Sequence, residues 1–230
     1  MPIDVRSIDA RRISKPVNRA RQLMPTGSNV VVDISHHNAN VDFSALKAAG
    51  IVGVIHKATQ GVTGVDPTYA SHRASAQQQG LLWGAYHFGT DSDGVQQAVS
   101  FLNAVGDVSN TLIALDFESN PTGPSMSLEE ARAFVTHVAS ATGRYPGFYS
   151  GHDIKQLLGT GTDTVLSNCW FWLAQYGPTA VVPANWTRWT LWQYTDGALG
   201  PPPTEIPGVG RFDRDIFNGN EDELRSFWGT

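Results

Sequence analysis

The 230-residue sequence contains one cysteine, Cys169, and no long apolar run. An intrachain disulfide needs two cysteines, so the fold cannot depend on one, and the sequence fits synthesis in a reducing compartment. No segment approaches the ~20 apolar residues that a membrane-spanning helix needs. The N-terminal segment also lacks the apolar stretch of a secretory signal peptide. We therefore expect no integral membrane segment and synthesis without a secretory leader.

Basic side chains and nucleotide-binding loops are scarce as well. Residues 1–28 contain six of the 16 Lys and Arg residues but two of the 21 Asp and Glu residues, so the rest of the chain is acidic. Phosphate binding needs a basic surface, so we expect no nucleic acid partner. No G-x-G-x-x-G, G-x-x-x-x-G-K-[ST] or G-x-S-x-G motif is present. These absences argue against nucleotide-dependent and serine-hydrolase chemistry.

The basic leader, residues 1–28, differs from the rest of the chain. It is polar and runs into the turn-forming sequence PTGSN. Such a composition favours disorder, with a docking segment or a translocation signal as alternatives. We place the start of the folded part at residue 29 and expect a single domain over residues 29–230.

Apolar strand-like segments alternate with helical patterns along this domain. Helical spacing or caps mark residues 66–80, 93–105 and 127–143, with Asp66 as a candidate N-cap of the first and a Ser127–Glu130 capping box in the third. The eight predicted strands are 29–35, 52–59, 81–88, 111–118, 145–151, 169–176, 190–196 and 211–217. Alternation of this kind predicts an α/β fold: a single irregular (β/α) TIM-like barrel of about eight strands. Connections after Cys169 look too short for full helices, so we expect fewer helices in the second half.

Acidic residues fall at the ends of these strands. Asp116 and Glu118 end the segment TLIALDFE, and residues two apart on a strand share a face, with Cα atoms ~6.6 Å apart. Such a pair could also be a solvated strand end. Asp33 lies near the end of the first strand and Asp213 near the start of the last. Since α/β barrels carry their chemistry at the C-terminal strand ends, we expect one acidic cleft in which repulsion keeps one acid protonated.

Aromatic and amide side chains surround the predicted cleft. Aromatic faces stack on sugar rings while phenols and amides bond sugar hydroxyls, so this combination with paired acids indicates a glycosidase. The candidate substrate-binding residues are Tyr86, Tyr149, Trp172, Tyr176 and Gln193. Five of the seven tryptophans fall within residues 170–192, and we expect at least half of these five in the core.

Metal binding is not indicated by the histidines. His36 and His37 are adjacent, so on a strand they would face opposite ways and could not bind one metal ion together. His87 fits a hydrogen-bonded structural histidine. We expect neither a metal nor a cofactor. A metal-dependent polysaccharide deacetylase or phosphodiesterase that uses Asp33 and a histidine remains an alternative.

Seven segments in order resemble the family 25 glycoside hydrolases, the Chalaropsis-type lysozymes. They are VDISHHNANVDFSALKAAGIVGVIHKATQG, GLLWGAYHF, LIALDFE, ATGRYPGFYSG, FWLAQY, LWQYTDG and FDRDIFNG. The resemblance covers the chain from about residue 29 onward and implies a (β/α)-type barrel with irregular closure. It also implies β-1,4-N-acetylmuramidase activity on peptidoglycan. Gln60 departs from the pattern, because many relatives have Glu in the motif KATEG.

The resemblance also implies roles for the four acids. Glu118 is the expected general acid/base and Asp116 its partner, either as a direct nucleophile or as stabiliser of a 2-acetamido intermediate; both routes retain the anomeric configuration. Asp33 and Asp213 are the other two acids of the cleft. We expect them to raise the pKa of Glu118 and to hold water or substrate.

The expected partner is the glycan strand of peptidoglycan, and we expect a monomer. A peptidoglycan-binding module without catalysis remains an alternative, although it would not need the four acids. The expected place of action is the cell wall, in the periplasm or outside the cell. Without a signal peptide, the protein would reach the wall by holin-type release or by a dedicated secretion route.

Overall fold

The computed structural model describes residues 27–229. The predicted leader, residues 1–28, lies almost entirely outside the described residues, so its disorder and the domain boundary remain predictions. The first strand begins at Ser28, next to the predicted boundary. Within residues 27–229, no helix is long and apolar enough to cross a membrane.

The part of the chain that the structure describes contains eleven strands, eight of which form a closed barrel. The strands are β1 (Ser28–Ile34), β2 (Gly53–Gln60), β3 (Gly64–Val65), β4 (Leu82–Phe88), β5 (Thr111–Asp116), β6 (Gly147–Ser150), β7 (Trp170–Ala174), β8 (Leu191–Thr195), β9 (Glu205–Ile206), β10 (Gly210–Arg211) and β11 (Asp213–Phe217). The barrel order is β1-β2-β4-β5-β6-β7-β8-β11, and β11 pairs with both β8 and β1. Every predicted strand overlaps one barrel strand, which confirms the predicted fold class.

The direction of β11 decides where its acids lie. The other seven barrel strands pair in parallel, whereas β11 runs antiparallel to β1 and β8. The start of β11 therefore lies at the same barrel end as the C-terminal ends of the parallel strands. Asp33 and Asp213 are register partners across β1 and β11. An acid at the start of a strand thus joins acids at the ends of the others.

Helices surround the first half of the barrel more completely than the second. The helices are α1 (Phe43–Ala48), α2 (Tyr69–Gln78), α3 (Gly94–Val105), α4 (Leu128–Thr142), α5 (His152–Leu158) and α6 (Glu221–Trp228). No helix longer than three residues lies between β7 and β8, and the short β9–β10 pair occupies the connection from β8 to β11. The prediction of fewer helices after Cys169 is confirmed for the connections between β7 and β11, and α6 then follows β11.

The capping predictions had different outcomes. Ser127 and Glu130 form the predicted capping box at the start of α4. Asp66 is not the N-cap of α2, because that helix begins at Tyr69 with Thr68 as N-cap. The Asp66 carboxylate instead accepts the backbone N–H groups of His36 and Thr68, each at 3.0 Å. It therefore ties the turn after β1 to the loop before α2.

Trp228 of α6 closes the barrel end opposite the strand ends that carry the acids. Its indole is 1% exposed and donates to the carbonyl of Trp83 at 2.8 Å. A Cβ on Gly53 would lie 2.7 Å from the Trp228 ring, so glycine is needed where the ring meets β2. The tryptophan prediction is confirmed: Trp172, Trp186 and Trp192 are at most 9% exposed.

Candidate active site

The structure brings all nine predicted site residues together around one cleft at the C-terminal ends of the parallel strands. The cavity measures about 150 Å³. Its lining consists of the four acids, three tyrosines, one tryptophan and one glutamine: Asp33, Asp116, Glu118, Asp213, Tyr86, Tyr149, Tyr176, Trp172 and Gln193. Seven of these side chains belong to barrel strands, so the sheet fixes their backbone positions.

The Asp116–Glu118 pair straddles the end of β5. The strand stops at Asp116, two residues earlier than predicted, and Glu118 lies just beyond it. Alternation nevertheless continues, because Phe117 between them is buried and its ring lies 5.3 Å from that of Phe148. Asp116 is 5% exposed, whereas Glu118 is exposed to solvent. The pair therefore offers one carboxyl in the floor of the cleft and one at its mouth.

Gln193 fixes the orientation of Asp33. Its amide Nε2 donates to Asp33 Oδ2 at 2.8 Å, which leaves Oε1 as an acceptor. The hydroxyl groups of Tyr149 and Tyr176 donate to Oε1 at 2.8 and 3.1 Å. Two phenols thus determine which way the amide points, and the amide determines which oxygen of Asp33 is engaged.

Burial raises the pKa values of the acids in the floor of the cleft. Removal from water raises the pKa of Asp116 and of Asp33 well above the usual aspartate value, and the charge of Glu118 raises both further. Burial, followed by the charge of Asp33, raises the pKa of Asp213 to about 8. Asp116 Oδ1 is buried and accepts no hydrogen bond from the described residues. This oxygen in the floor of the cleft therefore lacks a hydrogen-bond donor.

The raised pKa of Glu118 has two main causes. Partial burial raises the pKa of Glu118 first, and the charge of Asp153 raises it second, while Lys57 lowers it. The repulsion expected between Glu118 and the acids Asp33 and Asp213 raises the pKa of those two aspartates, and their effect on Glu118 itself stays a prediction. Glu118 sits beyond the end of β5, on the side where Asp153 of α5 lies, and these two acids line a common cavity of about 270 Å³.

The histidines do not form a metal site. His36 and His37 both follow the end of β1, and their ring centroids are 4.1 Å apart, so the expectation that they face opposite ways is wrong. His36 Nδ1 lies 2.8 Å from Asp66 Oδ2. Among residues 27–229, no group of three or more His, Cys, Asp or Glu side chains could hold a metal ion. His87 is the expected structural histidine, fully buried and bonded to Thr59 and Gln97.

Comparison with known proteins decides the family. A family model described as "Glycosyl hydrolases family 25" matches residues 32–200, well over half of the chain. The chain belongs to glycosyl hydrolase family 25. This confirms the resemblance seen in its sequence motifs.

Relatives of this family-25 chain include named enzymes. Lysozyme M1 of Streptomyces globisporus is 30% identical over 215 residues, covering 84% of this chain and 69% of the relative. N,O-diacetylmuramidase of Arthroderma benhamiae is 31% identical over 216 residues, covering 87% of both. The solved family GH25 lysozyme from Aspergillus fumigatus superposes with a TM-score of 0.75 at 32% identity, over 88% of this chain and 100% of the other.

Sequence reasoning missed three charged residues of this family-25 site: Lys57, Asp153 and Asp215. Lys57 Nζ lies 4.7 Å from the centroid of the Phe88 ring and donates to Gln60 Oε1 at 2.6 Å. Gln60, which departs from the family motif, therefore holds the cation that interacts with Asp116 and Glu118. Asp215 repeats the two-residue spacing of the Asp116–Glu118 pair, and this signal could have found it.

Proposed function

We propose that this family-25 hydrolase cleaves the β-1,4 bond between N-acetylmuramic acid and N-acetylglucosamine in peptidoglycan. The observation that carries the proposal is the Asp116–Glu118 pair, with one carboxyl in the floor and one at the mouth of the cleft. Relatives named lysozyme and N,O-diacetylmuramidase support the choice of substrate. Phenols and an amide around the acids suit a polar sugar ligand.

Glu118 is the proposed general acid/base. Its position at the cleft mouth lets it reach the glycosidic oxygen of a strand lying across the barrel end. Partial burial and the nearby Asp153 charge raise its pKa, so it keeps a proton at higher pH than a free glutamic acid does. Transfer of this proton to the leaving oxygen is the expected first role.

Asp116 is the proposed partner in a substrate-assisted, retaining reaction. The acetamido carbonyl oxygen of the sugar attacks C1 as the glycosidic bond breaks and the leaving oxygen takes the Glu118 proton. The acetamido N–H then becomes more acidic, and the donor-free Asp116 Oδ1 is suited to accept it. Water next attacks C1 and gives its proton to the Glu118 carboxylate, which restores the configuration. Direct attack by Asp116 is the other retaining route, and it needs carboxyl groups ~5–5.5 Å apart.

The rim residues divide into contacts and supports. Tyr176 is 42% exposed and Tyr86 is partly exposed, so both can touch a sugar. Tyr149 and Gln193 are buried and already bonded to each other, so we assign them to holding Asp33. Trp172 is 1% exposed, so it supports the floor and offers no free face for stacking.

Product analysis tests the proposal. Purified protein should release soluble fragments that end in reducing N-acetylmuramic acid, with no new free amino groups and no sugar-free peptides. Mass spectrometry after borohydride reduction reads this directly. Glu118→Gln serves as the matched control, because it should still bind the polymer but release nothing. Fragments ending in reducing N-acetylglucosamine, or peptides without sugar, would overturn the assignment, and binding without release by wild type would identify a silent module.

A second measurement addresses the stereochemistry. Early in the reaction, proton NMR distinguishes the β-anomer from the α-anomer of the new reducing end before they equilibrate. Retention predicts that the β-anomer appears first. Appearance of the α-anomer first would exclude both routes that use Asp116 in this way.

The substrate sets the place of action. Peptidoglycan lies in the cell wall, so we propose that the protein works in the periplasm or outside the cell. We further propose that it arrives by holin-type release or a dedicated secretion route. Fractionation of cells that produce the protein, with and without a co-expressed holin or secretion system, tests this route. Finding the enzyme at the cell wall in both cases would contradict it.

A further inference from the structure

A side-chain hydrogen bond joins the segment that carries Glu118 to helix α5. Ser119, the residue after Glu118, donates from its Oγ to Asp153 Oδ2 at 2.8 Å. Glu118 lies beyond the last residue of β5, so the strand ladder does not include it. The bond through Ser119 therefore connects the residue directly beside the proposed acid to the helix that follows β6.

The start of α5 packs closely against the barrel. Ile154, next to Asp153, has no exposed surface. A Cβ on Gly151, which precedes the helix, would lie 2.4 Å from the carbonyl oxygen of Ala174, so the backbone there lies directly on β7. Asp153 therefore lies on backbone that packing fixes, whereas Ser119 lies on the loop between β5 and α4.

Asp153 and Glu118 also face common space. Both line the cavity of about 270 Å³ and a second cavity of about 430 Å³, which lies between the start of α4 and α5. Two carboxyl groups that line the same cavities, with Ser119 bonded between them, are close enough for their charges to interact. Lys155 of α5 donates to Gln175 Oε1 at 2.5 Å, so this cation is engaged elsewhere.

We propose that Asp153 is the positioning residue of the general acid: it holds the Glu118 segment through Ser119 and faces the Glu118 carboxyl with its own negative charge. This inference rests on the proposed role of Glu118 and extends it to a residue that acts through another. The hydrogen bond limits where the Glu118 carboxyl can lie at the mouth of the cleft. The charge opposes ionisation of Glu118, so the acid keeps its proton until the glycosidic oxygen takes it.

Groups on several other elements also face Glu118. Partial burial and the charge of Asp153 raise the pKa of Glu118, whereas the opposite charge of Lys57 lowers it. The titratable groups around Glu118 are Asp116 on β5, Lys57 on β2, Asp33 on β1, Asp213 on β11, Tyr149 on β6, Tyr176 after β7, and His152 and Asp153 on α5. Asp153 is the acid of this set that does not line the catalytic cleft, so it can be replaced while the cleft lining stays complete.

Three variants separate the charge of Asp153 from its hydrogen bond. Asp153→Asn keeps an acceptor for Ser119 and removes the charge. Ser119→Ala keeps the charge and removes the bond, and Asp153→Ala removes both. Asp222→Asn is the matched control for net charge, because Asp222 is an exposed acid on α6 at the opposite barrel end.

The alkaline limb of kcat/KM reports the proton of Glu118 in the free enzyme. Without the charge of Asp153, this limb should move to lower pH by roughly 0.5–1 unit in Asp153→Asn and Asp153→Ala. Ser119→Ala should leave the limb in place and lower the maximum of kcat/KM roughly three- to tenfold, and Asp222→Asn should change neither. The proposal is overturned by an Asp153→Asn limb that superimposes on that of wild type, by an equal limb shift in Ser119→Ala, or by an unchanged maximum in Ser119→Ala.

Carbon-13 NMR of the glutamate carboxyl groups tests the charge without any substrate. The wild-type signal that disappears in Glu118→Gln belongs to Glu118, and its pKa should fall by the same shift of roughly 0.5–1 unit in Asp153→Asn. Asp153→Ala provides the same readout should the asparagine variant fail to fold. An unchanged Glu118 pKa would overturn the proposal even if the protein cleaves peptidoglycan. A lowered pKa in a protein that releases no muramic acid ends would support the charge contact and contradict the proposed function instead.

Discussion

Replacing Asp213 by asparagine should stabilise the fold at high pH. Burial and the charges of Asp33, Asp196 and Glu118 raise the pKa of Asp213 from 3.8 to about 8. The unfolded chain loses this proton above about pH 4, whereas the folded chain keeps it until about pH 8. The wild type therefore loses stability as the pH rises through this window. Asparagine does not titrate, so the variant does not lose folding stability in this way as the pH rises.

The size of the effect follows from the shift. About four pKa units at 1.36 kcal/mol each give an upper bound of about 5–6 kcal/mol at pH 8. Part of the shift comes from neighbouring acids that would take up protons themselves, and Asp213 keeps some exposure, so we expect roughly 2–3 kcal/mol. For a domain of this size each kcal/mol moves Tm by ~2–4 °C. The variant should melt about 5–10 °C above wild type at pH 8 and near wild type at pH 4.

The assay is a pair of melting curves, by calorimetry or circular dichroism, at about pH 4 and pH 8. Asp42→Asn is the matched control: Asp42 is the N-cap of α1, and the backbone N–H of Ala45 lowers its pKa. Its stabilisation is present above the unfolded pKa and lost as the pH falls, so this control should show a destabilisation that grows toward pH 8. Asp213→Asn could instead give the same Tm difference at both pH values or melt below wild type at pH 8. Either result would show that folding does not raise the pKa of Asp213.

Three further predictions concern activity and packing. Glu118→Gln should lower kcat by ~10²–10⁴-fold in a turbidity assay, and activity within a few-fold of wild type would show that Glu118 is not the general acid. The pH dependence of wild-type kcat/KM should be bell-shaped, with an acidic to near-neutral optimum. Gln60→Glu should change kcat only a few-fold, because a carboxylate still bonds Lys57; loss of activity would mean that the amide contacts the sugar. Gly147→Ala should lower stability by ~1–3 kcal/mol in urea unfolding, because its Cβ would lie 2.2 Å from the Trp170 ring; an unchanged midpoint would show that the ring moves aside.

Sequence could predict which residues meet at the cleft because two local rules place them there. Parallel strands end at one face of a barrel, and a side chain two residues away shares that face. Asp33, Asp116 and Gln193 follow from these rules. Asp213 was expected in the cleft although it starts its strand, and these rules do not explain its place there, because the antiparallel direction of β11 is a property of barrel closure. The catalytic roles themselves remain proposals.

What the sequence could not predict depends on distant contacts. The Trp172–Asp215 bond spans 43 positions, and no local pattern records it. Asp153 approaches Glu118 because α5 starts directly after β6, at the same barrel end. The short α6 also escaped prediction, although Asn220 and Glu223 form a readable capping box. Local signals thus located strands and caps, while the electrostatic partners of the acids depended on how the barrel closes.

The antiparallel return of β11 also determines when the site can exist during synthesis. Gln193 and Asp33 are 160 positions apart, and Asp33 and Asp213 become neighbours only when β11 enters between β8 and β1. A nascent chain therefore carries an open sheet without a finished cleft until its last barrel strand has left the ribosome. Products of premature termination should be inactive and prone to pair through their free edges. Only a chain that includes β11 can form the complete barrel and its cleft. A cell that makes this cell-wall hydrolase would therefore not accumulate active truncated chains.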